Sequence, residues 1–271
     1  YKKNVDNYTI LRFPSRCTEI DNIYNSDMYK DTGDDEPTVR SYTKNILKVE
    51  MPNTVKKLGK EAFSGNLGGF YFSSLERVEL SKSLSKIEDY AFYCCKNLKY
   101  IEMSNNITEI GYRAFSECEN LNIQIPESVT KFDMYAFYGC KALESITIPK
   151  SVKKIEYGSF YGCTNLQQIN LPEGLEEIGH SAFQECKSIK SITIPEGVKK
   201  FGDRSFQDCT NLQQINLPEG LESIGMYAFN GTSSLSEIII PASVKEIEAW
   251  AFFGWTKNQT IKCRATEAGK N

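Results

Sequence analysis

The sequence predicts a repeat solenoid built on parallel β-strands, and three observations support this fold class. The thirteen residues TNLQQINLPEGLE occur at 164–176 and again, unchanged, at 210–222. An Ala-Phe or Ser-Phe pair recurs at almost constant spacing along most of the chain. Each unit joins a β-branched segment to a turn signal and is too short to bury its own apolar residues. Stacked units would bury them against one another, so we expect the repetition to be the fold itself.

The repeat has a period of 23 residues. The gaps between successive phenylalanines are 29, 23, 22, 23, 23, 23, 23 and 23 residues. The long gap reflects a six-residue insertion, NLGGFY, before Leu75, and the short gap reflects a one-residue deletion in LNIQIP. The recurring residues are Phe63, Phe92, Phe115, Phe137, Phe160, Phe183, Phe206, Phe229 and Phe252.

Each unit predicts its local elements in order. Its pattern is L-x-x-I-x-I-P-x-x-V-x-x-I-G-x-x-A-F-x-x-C-x-x. The L-x-x-I-x-I segment is rich in β-branched residues and ends at proline, so it predicts a short strand and then a turn. V-x-x-I predicts a second extended piece, and A-F-x-x-C has the compact spacing of a helical or 3₁₀ turn. Because parallel strands need a crossover, the rest of each repeat is expected to supply it.

The whole chain is expected to form one solenoid domain. Residues 1–45 would be a degenerate repeat or cap, in which 21–45 is a longer, mobile loop containing the turn-rich DTGDDEPT. Residues 46–257 hold nine repeats of 22–29 residues, and 258–271 form a terminal strand and tail. Strand starts are expected near residues 8, 46, 75, 98, 121, 143, 166, 189, 212, 235 and 258.

Composition excludes some classes of function. The chain has 40% hydrophobic and 25% charged residues, which suits a packed core. Its 32 basic and 35 acidic residues give a net charge of −3, which argues against a nucleic-acid partner. No apolar run is long enough to span a membrane, and no signal peptide is visible.

The units resemble the leucine-rich repeats of the BspA type, written I-P-x-x-V-x-x-I-G-x-x-A-F-x-x-C-x-x-L-x-x-I, from about residue 8 to 263. Proline stands where ribonuclease-inhibitor-like repeats carry asparagine, which favours the BspA type. The resemblance implies a right-handed solenoid with a parallel β-sheet on the concave side, and short extended pieces and helical or 3₁₀ turns on the convex side. Family members are similar in being surface or secreted proteins that bind host proteins or other cells.

Cysteines recur at one position of the unit. Six of the nine stand three residues after the phenylalanine, and we expect them to form a buried column of packing side chains. A linear column neither converges on a metal nor gives good disulfide torsions. Cys94 stands two residues after Phe92 and is expected to be exposed. The six are Cys95, Cys118, Cys140, Cys163, Cys186 and Cys209.

No catalytic arrangement is recognisable in the sequence. There is no glycine-rich phosphate loop. A Ser-His-Asp or Cys-His arrangement would need His180, the one histidine, and other repeats carry tyrosine or methionine at its position. We therefore expect no enzymatic activity, no cofactor and no metal.

The outward side chains of the longer strands are the first candidate binding surface. Three glutamates would stack at one strand spacing and repel one another unless water or a cationic partner offset them. The later strands offer uncharged hydrogen-bonding groups on a rigid face, and a solvated face without a partner is the alternative. The candidate partner-binding residues are Glu50, Glu79, Glu102, Thr147, Gln168, Asn170, Thr193, Gln214 and Asn216.

Two other columns face outward. Aromatic residues surround the A-F turn, either lying flat over the stack or forming a tyrosine-rich recognition surface. Charges after the valine alternate in sign from one repeat to the next, because repeats of two kinds, such as SITIPKSVKK and the TNLQQINLPEGLE unit, follow each other. We interpret this as duplication of a two-repeat block whose Gln and Asn side chains are candidates for a repetitive ligand.

Two functions are consistent with the sequence. The first is a non-enzymatic, adhesin-like protein-binding module at the cell surface or outside the cell, contacting host or neighbouring-cell proteins. The alternative is an intracellular or structural scaffold for protein–protein interaction, because reducing compartments keep thiols unpaired. Glycans on the N-x-S/T sequons would argue against the scaffold in a eukaryotic source; these begin at Asn7, Asn106, Asn230 and Asn258.

Overall fold

The computed structural model describes residues 10–20, 45–65 and 72–264. Nearly all of the expected mobile loop, and the inserted NLGGFY, lie outside these residues. Over the described ranges the chain winds into stacked coils joined by parallel strand pairs, which confirms the repeat solenoid.

Most coils contribute one longer and one shorter strand, numbered together in chain order. The longer strands are β1 (Ile10–Arg12), β3 (Lys48–Glu50), β5 (Arg77–Glu79), β7 (Tyr100–Glu102), β10 (Ser145–Thr147), β12 (Gln168–Asn170), β14 (Ser191–Thr193), β16 (Gln214–Asn216), β18 (Glu237–Ile240) and β20 (Thr260–Cys263). The two-residue strands are β2 (Glu19–Ile20), β4 (Lys57–Leu58), β6 (Lys86–Ile87), β8 (Glu109–Ile110), β9 (Lys131–Phe132), β11 (Lys154–Ile155), β13 (Glu177–Ile178), β15 (Lys200–Phe201), β17 (Ser223–Ile224) and β19 (Glu246–Ile247).

Every strand pairs in parallel with the equivalent strand of a neighbouring coil, and the pairing is interrupted between some coils. The longer strands form sheets in the orders β1-β3-β5-β7, β10-β12, β14-β16 and β18-β20. The shorter strands form sheets in the orders β2-β4, β6-β8-β9 and β11-β13-β15-β17-β19. We call the outer side of the longer strands the long-strand face.

The strand expected near residue 121 is absent, so that expectation is wrong. Residues 121–126 have no strand, and the coil they belong to lacks one residue. Leu121 and Ile123 both stay buried, and the shortened backbone between them cannot also follow both neighbouring strands. The Asn122 amide meets the Lys99 carbonyl only at 3.4 Å.

The A-F-x-x-C segments are turns, so the expected helical or 3₁₀ turns are wrong, and the described residues contain no helix. In one such turn the amides of Ser116 and Cys118 donate to carbonyls within the turn, whereas those of Phe115 and Glu117 donate to the next coil at 2.9 and 2.6 Å. A helix would use its amides within itself. The alternation therefore prevents a helix and ties each coil to the next.

Two positions of each turn from Phe92 onward have left-handed backbone. They lie two residues before and two after the phenylalanine, as for Tyr135 (φ 58°) and Gly139 (φ 68°) around Phe137. Several repeats place glycine at the second position, where it adopts this conformation without strain. Cys94 occupies the same position with φ 57° and is only 7% exposed. The expectation of an exposed Cys94 is therefore wrong.

The recurring phenylalanines form the centre of the core. Phe160 stacks on Phe137 and Phe183 with ring centroids 5.5 and 5.7 Å apart and interplanar angles of 3° and 4°. All three rings are fully buried. One continuous column of rings thus joins successive coils, in the offset arrangement that aromatic pairs prefer.

Replacing a central ring should destabilise the whole stack. We expect Phe160→Ala to lower the free energy of unfolding by about 3–5 kcal/mol, because it removes contacts to both neighbouring coils and leaves a cavity. Urea unfolding followed by circular dichroism measures the change. Phe253→Ala, which truncates a ring that is 58% exposed, is the control and should cost less than about 1 kcal/mol. Equal losses would contradict a ring-centred core.

Candidate functional site

All nine candidate binding residues lie on the long-strand face. In each three-residue strand the middle residue points into the core and the outer two point away, as for buried Ile146 between Ser145 and exposed Thr147. Parallel register then places equivalent residues side by side: Glu50 next to Glu79 and Thr147 next to Asn170. The structure brings the glutamates together in one part of the face and the uncharged residues in another.

The acidic part of the face is neutralised largely by the chain itself. Lys48 Nζ lies 2.6 Å from Glu50 Oε1 and 2.7 Å from Glu79 Oε1, so one ammonium bridges two stacked carboxylates. Arg12 donates from Nε to Glu50, and Arg77 Nε lies 3.4 Å from Glu79. The cation that the stacked glutamates were expected to need is therefore supplied within the fold.

These contacts shift the titration of the paired groups. The pKa of Glu50 is held below its ordinary value, chiefly by the hydrogen bond from Arg12 and then by that from Lys48. The pKa of Lys48 is raised, chiefly by its hydrogen bonds to Glu50 and Glu79. Both groups are therefore charged at neutral pH and favour each other's charged forms.

Glu102 differs from the two glutamates before it. It follows Glu79 in register on β7, but no cation among the described residues forms an ion pair with it. Tyr100, the other outward residue of β7, is 61% exposed. An unmatched carboxylate and an open aromatic ring thus stand together where the charged part of the face ends.

The uncharged part of the face spans four strands, β10, β12, β14 and β16. Their outward residues alternate between hydroxyl and amide side chains from one coil to the next. We call them the polar face: Ser145, Thr147, Gln168, Asn170, Ser191, Thr193, Gln214 and Asn216. Two hydrogen bonds link neighbouring rows, from Asn170 Nδ2 to Thr147 Oγ1 at 3.2 Å and from the Ile194 amide to Asn216 Oδ1 at 3.3 Å.

The hydrogen-bonded ladder of the polar face is interrupted at every second coil. The amides of Gln168 and Gln214 donate to the preceding coil, each at 3.2 Å. The amides at the equivalent positions, Ser145, Ser191 and Glu237, make no such bond, and no strand pairing joins β12 to β14 or β16 to β18. The interruptions therefore recur at 46-residue intervals, like the duplicated sequence.

The interruption between β12 and β14 forms a shallow cleft. It is lined by the polar residues Gln168, Asn170, Ser191 and Thr193, by Ile169, and by the charged Glu173. Ile169 and Leu171 are half-buried, whereas the equivalent residues of β10 and β14, and those that follow these strands, are buried. Sequence reasoning missed this cleft. The available signal was the change from T-I-P to N-L-P at the strand end, which replaces β-branched residues.

The cysteine column is a packing feature of the core. Cys163 Sγ donates to the Phe137 carbonyl of the preceding coil at 3.1 Å, and the other five thiols make the same contact. All six are fully buried. At the last coil, Trp255 Nε1 donates to the Phe229 carbonyl instead. No group of His, Cys, Asp or Glu side chains within the described ranges could hold a metal ion.

The aromatic column packs mostly on itself. The Tyr135 ring covers Gly158 so closely that a β-carbon there would lie 2.6 Å from it. The Arg113 guanidinium lies 4.7 Å from the same ring, which is a cation–π contact. Among the described rings of this column, those of the last coil are the most open, with Trp250 and Phe253 each more than half exposed. Neighbouring tyrosine rings meet edge to face, as those of Tyr135 and Tyr157 do at 65°, so the rings pack on one another and do not all lie flat over the stack.

His180 is engaged in holding two coils together. Its Nδ1 accepts a hydrogen bond from the backbone amide of Asp203 at 3.0 Å, and the Asp203 carboxylate lies 3.3 Å from the same nitrogen. Because Nδ1 accepts this hydrogen bond, the neutral imidazole carries its hydrogen on Nε2. The side chain is 44% exposed and lies in the row of Tyr157, so it is part of the turn surface.

The chain belongs to a family of leucine-rich repeat proteins. The family model described as BspA type leucine rich repeat region matches residues 37–131 and 130–259, in six copies. A comparison with curated proteins finds no significant match. Within residues 10–20, 45–65 and 72–264 the structure has no helix of the length and apolarity needed to cross a membrane.

Solved structures share this fold. A leucine-rich repeat protein from Bacteroides ovatus is 29% identical, with a TM-score of 0.57 over 81% of this chain and 66% of its own. The T. pallidum leucine-rich repeat protein is 28% identical, with a TM-score of 0.50 over 70% of this chain and 78% of its own. The pneumococcal vaccine antigen PcpA is 23% identical, with a TM-score of 0.54 over 89% and 68%, and shows the fold alone. This chain spans just under two thirds of the Bacteroides ovatus protein.

The buried thiols should make stability fall at alkaline pH. Burial raises the pKa of Cys163 to about 12 and raises those of the other five as well. Unfolded thiols titrate near pH 8.5. The contribution of the buried thiols to the free energy of unfolding is therefore fully present below about pH 8.5. Above that pH it is lost, by up to about 1.4 kcal/mol per pH unit per thiol, until the folded pKa is passed.

Urea unfolding under reducing conditions at pH 8, 9 and 10 measures this slope. The double variant Cys163→Ala, Cys186→Ala should lose stability with pH less steeply, by up to about 3 kcal/mol per pH unit. Its lower stability at pH 8 is expected and does not bear on the slope. An unchanged slope would show that these thiols do not stay protonated in the folded state.

Proposed function

We propose that this chain is a non-enzymatic, adhesin-like protein-binding module that works at the cell surface or outside the cell. The observation that carries the proposal is the long-strand face, where outward side chains stand in fixed register on a continuous core. A rigid surface loses little conformational entropy when a partner binds. Membership of a leucine-rich repeat family supports an interaction role, and the surface or secreted character of BspA-type proteins supports the location.

The contact with a protein partner centres on β7 in this proposal. Tyr100 is an exposed aromatic residue of the kind that dominates interface energetics. Glu102 beside it has no ion pair among the described residues, so a partner's Lys or Arg would find an unmatched carboxylate. Glu50 and Glu79 are already paired with cations of the chain and would steer a partner less strongly.

The buried thiols do not favour the scaffold alternative. That alternative relied on unpaired cysteines as a sign of a reducing compartment. The six column thiols are fully buried and held as neutral donors, so oxidants outside the cell would reach them only after unfolding. The column therefore suits either compartment.

Binding to cells and matrix tests the proposal. The purified chain should bind intact epithelial cells or immobilised extracellular-matrix extract with micromolar or better affinity. The variant Tyr100→Ala, Glu102→Gln should weaken binding by about ten-fold or more, because it removes both the aromatic anchor and the charge. Glu109→Gln, an exposed carboxylate on short strand β8, is the matched control and should leave binding unchanged.

Biolayer interferometry on matrix extract and flow cytometry on cells give the affinities. Absence of binding at micromolar concentration would overturn the adhesin proposal. Binding that survives the β7 variant would move the contact away from Tyr100 and Glu102.

A further inference from the structure

We propose that the polar face binds a linear, uncharged polysaccharide of β-1,4-linked sugars. The polymer would lie along the solenoid axis, with each two-sugar repeat spanning two coils. This inference is independent of the proposed protein partner, because it uses β10 to β16 and not β7. Three features of the polar face carry it: its chemistry, its period and its cleft.

The chemistry of the face matches a neutral polyol. Its eight outward side chains are all hydroxyls or amides, which both donate and accept hydrogen bonds, as sugar hydroxyls do. No outward residue of these four strands is charged. A nucleic acid would need Lys or Arg here, and protein hot spots favour Trp, Tyr and Arg. The outward strand side chains therefore match an uncharged ligand, and the one carboxylate in the cleft lining, Glu173, disfavours an anionic one.

The period of the face matches a ligand with a two-unit repeat. Amide rows Gln168/Asn170 and Gln214/Asn216 alternate with hydroxyl rows Ser145/Thr147 and Ser191/Thr193. The pattern thus repeats every two coils, or about 9.6 Å at the usual strand spacing. In an extended β-1,4-linked chain successive rings face opposite ways, so the polymer also repeats over two units of similar length. Each pair of rings would then meet the same surface.

The cleft between β12 and β14 offers a sugar ring a backbone hydrogen-bond donor and an apolar surface in addition to side-chain contacts. Between the described strands β12 and β14, which do not pair, the Ser191 amide makes no backbone bond to the preceding coil and is therefore available to a ligand oxygen. Ile169 and Leu171 are half-buried, and their accessible parts offer a small apolar surface for the less polar face of a ring. The missing strand pairing recurs between β16 and β18, after the second copy of the same sequence, where Ile215 and Leu217 are half-buried like Ile169 and Leu171.

Titration of the full chain with oligosaccharides tests this inference. The probes are neutral cello-oligosaccharides and N-acetylated chito-oligosaccharides of one to six sugars, with oligogalacturonate as the charged counterpart. Isothermal calorimetry should show no binding of single sugars and affinity that rises with length up to six. Binding of the neutral hexamers should be insensitive to salt, because no charges meet.

Variants of the amide rows locate the site. Gln168→Ala with Asn170→Ala should weaken hexamer binding by about ten-fold, and adding Gln214→Ala with Asn216→Ala should weaken it further. The control, Glu177→Ala with Ser223→Ala, alters the short strands of the same two coils and should bind as the unaltered chain does. Circular dichroism establishes that each variant is folded.

Three results would overturn the inference. One is the absence of binding for every neutral hexamer at millimolar concentration. Another is binding that the four-residue variant leaves intact. The third is a preference for oligogalacturonate that weakens with salt. None of these depends on Tyr100 or Glu102, so the protein-binding proposal can fail or stand separately.

Discussion

The stacking of each coil on the next is the constraint on which the rest of this structure depends. Alternate amides of the A-F turn donate out of their own coil, as those of Phe115 and Glu117 do, so no coil satisfies its backbone alone. The core also depends on contacts between coils. The backbone carbonyls of the column phenylalanines from Phe92 to Phe160 each accept a hydrogen bond from a cysteine thiol of the following coil. Stability is therefore a property of neighbouring coils.

This constraint also builds the candidate binding surfaces. Because equivalent residues must fall in register, any outward side chain is repeated as a row, and like charges become neighbours. The chain avoids repulsion between these like charges in different ways along its length. At β3 and β5 it places Lys48 between two carboxylates, whereas the outward residues of the longer strands β10, β12, β14 and β16 are all uncharged. The long-strand face of one stack thus carries a charged region and an uncharged region.

The sequence predicts the columns well and the backbone between them less well. Phe160 and Cys163 recur at a fixed spacing with apolar neighbours, so their burial follows from periodicity alone. The turn geometry does not, because whether an amide such as that of Phe115 bonds within its turn or to the next coil depends on a neighbour distant in sequence. The same limit explains the error at Cys94, whose left-handed backbone is set by the stacked turn, and the missing strand at 121–126. Of the binding surface, the identity of the outward residues could be predicted, but the partners of Glu50 and the cleft beside β12 could not.

Amide hydrogen exchange measured residue by residue in the folded chain tests the account most directly. If coils stack as described, the amides of Phe115 and Gln168, which donate to neighbouring coils, should exchange slowly. The amide of Ser191, in the cleft between β12 and β14, should exchange much faster than that of Gln168 in the same coil stack. Uniform protection across β12 and β14 would show that the ladder is continuous, and would contradict both the two-coil period and the binding surface inferred from it.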